Sequence, residues 1–323
     1  MHITITRRIP QLAQTLFEQH GHTVYTWGGN GAMPRAELLQ EVAEADGLLS
    51  LLTDKVDAEL LAAAPKLKVV SNFAVGYDNL DVAALTAHKI PAGNTPDVLT
   101  ETTADTAFML LMAAARKLVP AQADVKAGKW HTWEPLGWIG QEIHGATLGI
   151  IGFGRIGQAI ARRGTGFGMK LVYYNRSRRP DAEAELKAQP REFDALLQES
   201  DFVVLCTALT AETHHLIGER ELAMMKPSAV VVNIGRGGLI DPSALYVALR
   251  ANMIAAAGLD VTEPEPLPAD HPLLTLDNCL VVPHIGSATY RTREQIARLA
   301  AENILAGLRG ERLPHCINPE VYA

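Results

Sequence analysis

Three short stretches in the second half of the chain carry side chains that can do chemistry together. Asn233-Ile234-Gly235-Arg236-Gly237-Gly238 follows one apolar run, Asp260-Val261-Thr262-Glu263-Pro264-Glu265-Pro266 follows another, and Val282-Pro283-His284-Ile285-Gly286-Ser287 closes a third. In an open α/β sheet, ligands bind outside the carboxyl ends of the strands. Arg236, Glu265 and His284 are therefore expected to converge. An arginine recognises anions, and a histidine next to a carboxylate exchanges protons near neutral pH.

A second signal lies upstream. The β-type run Thr147–Ile151 leads into Gly152-Phe153-Gly154-Arg155-Ile156-Gly157, and a helical run follows from Gln158 to Arg163. Each glycine has a distinct task. Gly152 permits a tight turn, Gly154 lets the backbone approach a pyrophosphate, and Gly157 lets the helix pack closely. The helix N-terminus offers N–H groups and a positive dipole to the anion. Strand, glycine loop and helix together point to a dinucleotide site. Arg155 and Ile156 lie inside this loop and are assigned to the same cofactor site.

The next run, Leu171–Tyr174, ends in Asn175-Arg176-Ser177-Arg178-Arg179. An NAD site usually carries Asp or Glu here, about 20 residues past the glycines, to bind the ribose 2′-hydroxyl. Asn175 removes the repulsion such a carboxylate would exert on a 2′-phosphate. Arg176 and Arg178 supply charge-assisted hydrogen bonds to it, and Ser177 a neutral donor. NADP(H) is expected over NAD(H), with NADH the weaker cofactor.

The elements that must hold these residues are legible as alternating β and helical runs. Strands are expected at Ile3–Thr6, His22–Thr26, Gly47–Leu52, Lys68–Phe73 and Ile90–Ala92, with helices at Pro10–His20, Pro34–Ala45, Asp57–Ala64 and Val82–Ala87. A long apolar helix is expected from Leu99 to Val119, with Thr100 and Thr103 as candidate N-caps. Six further strands begin at Ala146, and Arg291–Arg309 reads as an amphipathic helix before a polar tail that packs back on the first domain. Strands alternating with helices argue for parallel sheets covered on both faces.

Composition limits the function classes. Of 323 residues, 48% are hydrophobic and 20% charged, which excludes a disordered or collagen-like chain. There are 29 basic against 36 acidic residues, a net charge of −7, so neither nucleic acid nor an anionic membrane is an expected partner. Cys206, Cys279 and Cys316 are scattered, with no disulfide or zinc spacing, and are expected to be reduced. No signal peptide and no apolar span of about 18 residues is visible, so a cytoplasmic location is the default.

Across nearly its whole length the chain resembles the D-isomer-specific 2-hydroxyacid dehydrogenases, most closely their glyoxylate/hydroxypyruvate reductase branch. The resemblance rests on VGYDNLD (75–81), TPDVLTETTADTAF (95–108), LGIIGFGRIGQAIARR (148–163), NIGRGGLID (233–241), AAGLDVTEPEPLP (256–268) and VVPHIGSAT (281–289). It implies an α/β fold of two doubly wound parallel-sheet domains. A flavodoxin-like substrate domain would span 1–99 plus 288–323, and an inserted Rossmann dinucleotide-binding domain 100–287, with helices near 100–118 and 290–308 as the hinge.

The resemblance also implies roles. Arg236 would bind the substrate carboxylate, His284 would be the acid/base, and Glu265 would hold the far ring nitrogen and favour the imidazolium. Val75 and Gly76 match a loop whose N–H groups hold the carboxylate, and Asp260 an aspartate near the nicotinamide amide, with Ile234 and Gly286 at the same cofactor site. Leu52 would line the substrate pocket and Ser287 contact a substrate hydroxyl. The Trp-rich segment 129–138 matches a loop that crosses a homodimer interface, placing Trp133 near the partner's site. The implied substrates are small 2-oxo acids (glyoxylate, hydroxypyruvate, 2-ketogluconate), reduced without a metal. His131, His214 and His215 read as structural. Two alternatives remain open at this point: a phosphite-type dehydrogenase, and a dinucleotide-sensing binding protein on the same fold.

Overall fold

The computed structural model describes residues 1–323. The chain divides into two compact units, Met1–Leu99 with Ala288–Ala323, and Thr100–Ser287.

The first unit begins with β1 (His2–Ile5), α1 (Leu12–Gln19), β2 (Thr23–Thr26), α2 (Arg35–Glu41), β3 (Gly47–Ser50), α3 (Ala58–Ala63), β4 (Val69–Asn72), α4 (Val82–Ala87) and β5 (Ala92–Gly93). Its five strands are all parallel, in the order β2-β1-β3-β4-β5. This is the flavodoxin-like order. β3 (Gly-Leu-Leu-Ser) and β4 (Val-Val-Ser-Asn) are wholly buried, as strands covered on both faces must be. Asp57 and Asp81 cap α3 and α4 by accepting the N–H of Leu60 and Ala84.

The second unit opens with α5 (Thr100–Ala115) and α6 (Leu118–Lys126). There follow β6 (Thr147–Ile151), α7 (Arg155–Gly166), β7 (Lys170–Tyr174), α8 (Pro180–Leu186), β8 (Gln189–Pro190), α9 (Phe193–Glu199) and β9 (Phe202–Leu205). The unit is completed by α10 (Glu219–Met224), β10 (Val230–Asn233), α11 (Pro242–Arg250), β11 (Ala256–Leu259) and β12 (Cys279–Val281). Its seven parallel strands run β12-β11-β10-β9-β6-β7-β8. One apolar cluster packs α5 and α7 on one face of the sheet, and another packs α9, α10 and α11 on the other.

Two expectations from the sequence need correction. The single helix expected from Leu99 to Val119 is two helices. The last carbonyl of α5, on Ala115, accepts the N–H of Gln141 (2.9 Å), and Lys117 turns left-handed (φ 51°) before α6 restarts at Leu118. Pro120 falls in the first turn of α6, where no N–H is required. Thr100 and Thr103 lie within α5 rather than capping it, and Thr103 is buried. The seventh strand, β8, was not expected. Two residues with a proline give no apolar signal, and proline in a sheet is confined to edges.

The chain then returns to the first unit as α12 (Tyr290–Leu308), capped by Thr289, which buries Ile296, Ile304 and Leu308. The polar tail does pack on this unit. Cys316 bridges antiparallel to Gly93, and Ile317 donates to the Ala92 carbonyl (2.8 Å). Fully buried Asn318 accepts the Ala92 N–H (2.8 Å) and donates to the Ile90 carbonyl (3.0 Å) and the Thr86 hydroxyl (3.2 Å). Asn318→Ala leaves these buried groups unpaired, and we expect a loss of about 2–3 kcal/mol in urea denaturation. A loss under about 0.5 kcal/mol, the size of an ordinary surface change, would refute this role for the tail.

Candidate active site

The glycine loop leaves the end of β6 and enters α7. Gly152 is left-handed (φ +95°), and a β-carbon there would lie 2.8 Å from the Thr207 nitrogen. At Gly157 a β-carbon would lie 2.2 Å from the Gly152 carbonyl oxygen, so α7 seats directly on the loop. Gly154 is the opposite case. Nothing lies within 4 Å of its missing side chain, and it stands at the start of α7 with no side-chain cap. Open space before a bare helix N-terminus fits a pyrophosphate. Arg155 is exposed, Ile156 is half-buried against the core, and Ile234 is buried in it.

Asn175 ties the loop beyond β7 to the glycine loop. Its Oδ1 accepts the Phe153 N–H (3.1 Å) and its Nδ2 donates to the Ser177 carbonyl (2.6 Å). Arg176 and Ser177 are exposed. The Glu212 carboxyl lies below its ordinary value, first through the Thr210 hydroxyl bond and to a lesser degree through the Arg176 charge. Arg178, expected at the phosphate, makes an ion pair on the surface. Its guanidinium is paired with Glu183 on α8, through Nε (3.1 Å) and Nη2, and Tyr173 donates to the same carboxylate (2.5 Å). The Arg178 bond, then the Tyr173 bond, pull the Glu183 carboxyl down to about 2.

At the end of β10, buried Asn233 shapes the arginine loop. Its Oδ1 accepts the Gly235 N–H (3.1 Å) and its Nδ2 donates to the Arg236 carbonyl (2.8 Å). Arg236 Nη1 donates to the Gly235 carbonyl (2.9 Å). After β11, the Thr262 N–H reaches Glu265 Oε2 (3.3 Å) and the Thr262 hydroxyl the Pro264 carbonyl (2.8 Å). These two loops touch backbone to backbone. A β-carbon at Gly237 would lie 1.9 Å from the Thr262 carbonyl oxygen.

After β12, His284 takes a left-handed backbone (φ 52°) and donates its N–H to the Asp260 carbonyl (2.9 Å). Asp260, only 2% exposed, accepts the Ile285 N–H on Oδ1 (2.6 Å) and the Gly286 N–H on Oδ2 (2.9 Å). Burial raises its carboxyl above the ordinary value despite these bonds and the His284 charge. Both oxygens of Asp260, expected near a nicotinamide amide, are thus engaged in holding the histidine loop. His284 Nδ1 meets Glu265 Oε1 at 2.6 Å. Burial alone would raise the Glu265 carboxyl. The His284 bond and charge, the Thr262 N–H and the Arg236 charge outweigh it, and the carboxyl lies below its ordinary value.

The structure therefore brings Arg236, Glu265 and His284 together at neighbouring strand ends. Ser287 is half-buried at the end of this unit. In the first unit, Leu52, Val75 and Gly76 are half-buried. Asn94 donates to the Val75 carbonyl (2.8 Å) and Asn72 to the Gly76 carbonyl (2.8 Å), so both carbonyls of that loop are occupied. Trp133 is 78% exposed on the coil between α6 and β6. Sequence reasoning missed the His214, His215 and Glu263 cluster, because histidines beside apolar residues carry no periodic or spacing signal.

A dinucleotide loop with an Arg/Glu–His set at adjacent strand ends defines a nicotinamide-dependent oxidoreductase. Residues 108–286 match the NAD-binding domain of the D-isomer specific 2-hydroxyacid dehydrogenases. The glyoxylate reductase of Thermococcus litoralis is 48% identical over 99% of this chain and 97% of its own. The crystal structure of a glyoxylate reductase from Paecilomyes thermophila superposes with a TM-score of 0.87 at 32% identity, covering 99% of both chains. That of the NADPH-dependent glyoxylate/hydroxypyruvate reductase of Sinorhizobium meliloti does so with a TM-score of 0.83 at 30% identity, covering 98% of each. The chain belongs to the D-isomer specific 2-hydroxyacid dehydrogenases.

The contact between the arginine and glutamate loops leaves no room for a side chain. We expect Gly237→Ala to lower turnover by about 100-fold, the cost of misplacing a catalytic group by about 1 Å, with unchanged dinucleotide affinity by fluorescence titration. Unimpaired turnover would show that the two loops need not be held in contact.

Proposed function

We propose that the protein reduces small 2-oxo acids, glyoxylate and hydroxypyruvate first and 2-ketogluconate as a further candidate, with NADPH as the preferred cofactor. The observation that carries this reading is the His284 Nδ1 to Glu265 Oε1 hydrogen bond of 2.6 Å beside Arg236. Glyoxylate is named for the relatives; hydroxypyruvate and NADPH are named for one of the structural neighbours.

When bound, the nicotinamide supplies the hydride that reaches the carbonyl carbon. Arg236 holds the substrate carboxylate and polarises the adjacent carbonyl. Negative charge then builds on the carbonyl oxygen, and His284 donates the proton from Nε2, the nitrogen opposite the one that meets Glu265. Glu265 keeps the ring in the tautomer and orientation this needs. In the reverse direction neutral His284 accepts the proton. Val75 and Gly76, whose carbonyls are occupied, offer N–H groups suited to a carboxylate. Leu52 supplies a small apolar wall, and Ser287 suits a substrate hydroxyl.

Support for NADPH lies at Asn175, where a carboxylate would repel a 2′-phosphate. With Arg178 paired to Glu183, Arg176 and Ser177 are the groups we assign to that phosphate. A homodimer is supported by exposed apolar surface on and after α6, where Leu118, Val125, Trp130, Trp133, Leu136 and Ile139 face solvent. We place Trp133 at the partner's substrate site on the family resemblance. A cytoplasmic location is consistent with three free thiols.

Initial rates of NADPH and NADH consumption with glyoxylate and hydroxypyruvate test this reading. Turnover is expected with both acids and faster with NADPH. We expect Arg176→Ala to raise the KM for NADPH about tenfold or more, the size of one charge-assisted hydrogen bond, and to leave the KM for NADH unchanged. Tight dinucleotide binding without turnover would overturn the reductase assignment. An equal loss for both cofactors would remove Arg176 from the phosphate site.

A further inference from the structure

We propose that His214, His215 and Glu263 form a binding site for one transition-metal dication of the Zn2+ class. The three side chains place one nitrogen or oxygen ligand each within 4.8 Å of one another. His214 Nε2 lies 3.3 Å from Glu263 Oε1, and His215 Nε2 lies 2.7 Å from Glu263 Oε2. The two imidazoles stack face to face, ring centroids 3.9 Å apart, and each turns its Nε2 to the same carboxylate.

Two imidazoles and a carboxylate are the ligand set that zinc, cobalt and nickel take up. Tetrahedral ligands at about 2.0–2.1 Å from an ion stand about 3.4 Å apart. His214 Nε2 stands at about that spacing from one carboxylate oxygen, and His215 Nε2 lies closer to the other, so that pair must open to share an ion. The side chains are 49%, 36% and 39% exposed, so an ion can enter and keep a water in its remaining position.

The backbone holds the cluster ready. His215 is left-handed (φ 52°), with its N–H donated to the Gly238 carbonyl (2.7 Å), and His214 donates to the Thr210 carbonyl (3.0 Å). Burial pushes two of the three thiols, Cys206 and Cys279, up to about 12, so neither competes strongly for an ion. The cluster also touches both catalytic loops. His215 binds the Gly238 backbone beside Arg236, and Glu263 lies two residues before Glu265 with its nitrogen against Gly237. An ion seated between Glu263 and the imidazoles therefore displaces Glu263, and with it the Arg236 and Glu265 loops together. That consequence rests on the proposed reductase chemistry; the binding site does not.

Calorimetric titration of chelator-treated, full-length protein with ZnCl2, alongside the visible spectrum with CoCl2, tests the site. We expect one ion per chain and a cobalt ligand-field band in the wild type. His214→Asn and Glu263→Gln, at half-exposed positions, should keep the far-ultraviolet circular dichroism. Each should weaken zinc by about 100-fold or more, beyond the about 10–100-fold that an outer partner costs, and abolish the cobalt band. No binding by the wild type, or equal binding by both variants, would overturn the site. Zinc inhibition of 2-oxo acid reduction in the wild type but not in His214→Asn would support the coupling; equal inhibition in both would refute it.

Discussion

The buried carboxylate of Asp260 is the constraint on which the catalytic geometry depends. It accepts two successive backbone N–H groups, from Ile285 and Gly286, while its own carbonyl accepts the N–H of His284. Together these bonds hold a histidine in a left-handed backbone, which costs about 1–3 kcal/mol for a residue with a side chain. The return is direction: the ring meets Glu265 at 2.6 Å. A carboxylate kept in a site that disfavours its charge is thus a positioning group, acting on the histidine through the chain.

The same economy of means recurs in the neighbouring loops. Asn233 pins the arginine loop with one amide, and Gly237 lets that loop lie on the glutamate loop with no side chain between them. Parallel strands deliver all three loops to the carboxyl end of the sheet, so residues far apart in sequence need only short connections to meet. The glycine loop follows the same logic at β6, where close contact at Gly157 and open space at Gly154 produce a helix N-terminus bare toward solvent.

Much of this was legible in the residues. Apolar runs such as Phe202–Leu205 and Val230–Asn233 mark strands buried on both faces, and the residues just after them mark the site. What was not legible depends on contacts between distant segments. The break after Ala115 needs Gln141, which lies beyond α6, to take a carbonyl that a longer helix would have kept. Asp260 gives no sign in sequence that the N–H groups of Ile285 and Gly286, 25 and 26 residues on, reach its two oxygens. His214 and His215 read as packing residues because their partner, Glu263, lies on another loop.

The central claim is that Glu265 and His284 work as one acid–base pair. The most direct measurement is the pH dependence of the reductive kcat for the wild type and Glu265→Gln, with dinucleotide affinity measured alongside. The Glu265 carboxyl lies below its ordinary value, so its charge is present through the neutral range and is lost only as pH falls through that depressed value. The variant lacks that charge at every pH. The account predicts a kcat lower by about 100-fold or more, an alkaline decline that begins at lower pH, and unchanged dinucleotide affinity. A variant whose rate and pH profile overlay those of the wild type would contradict it.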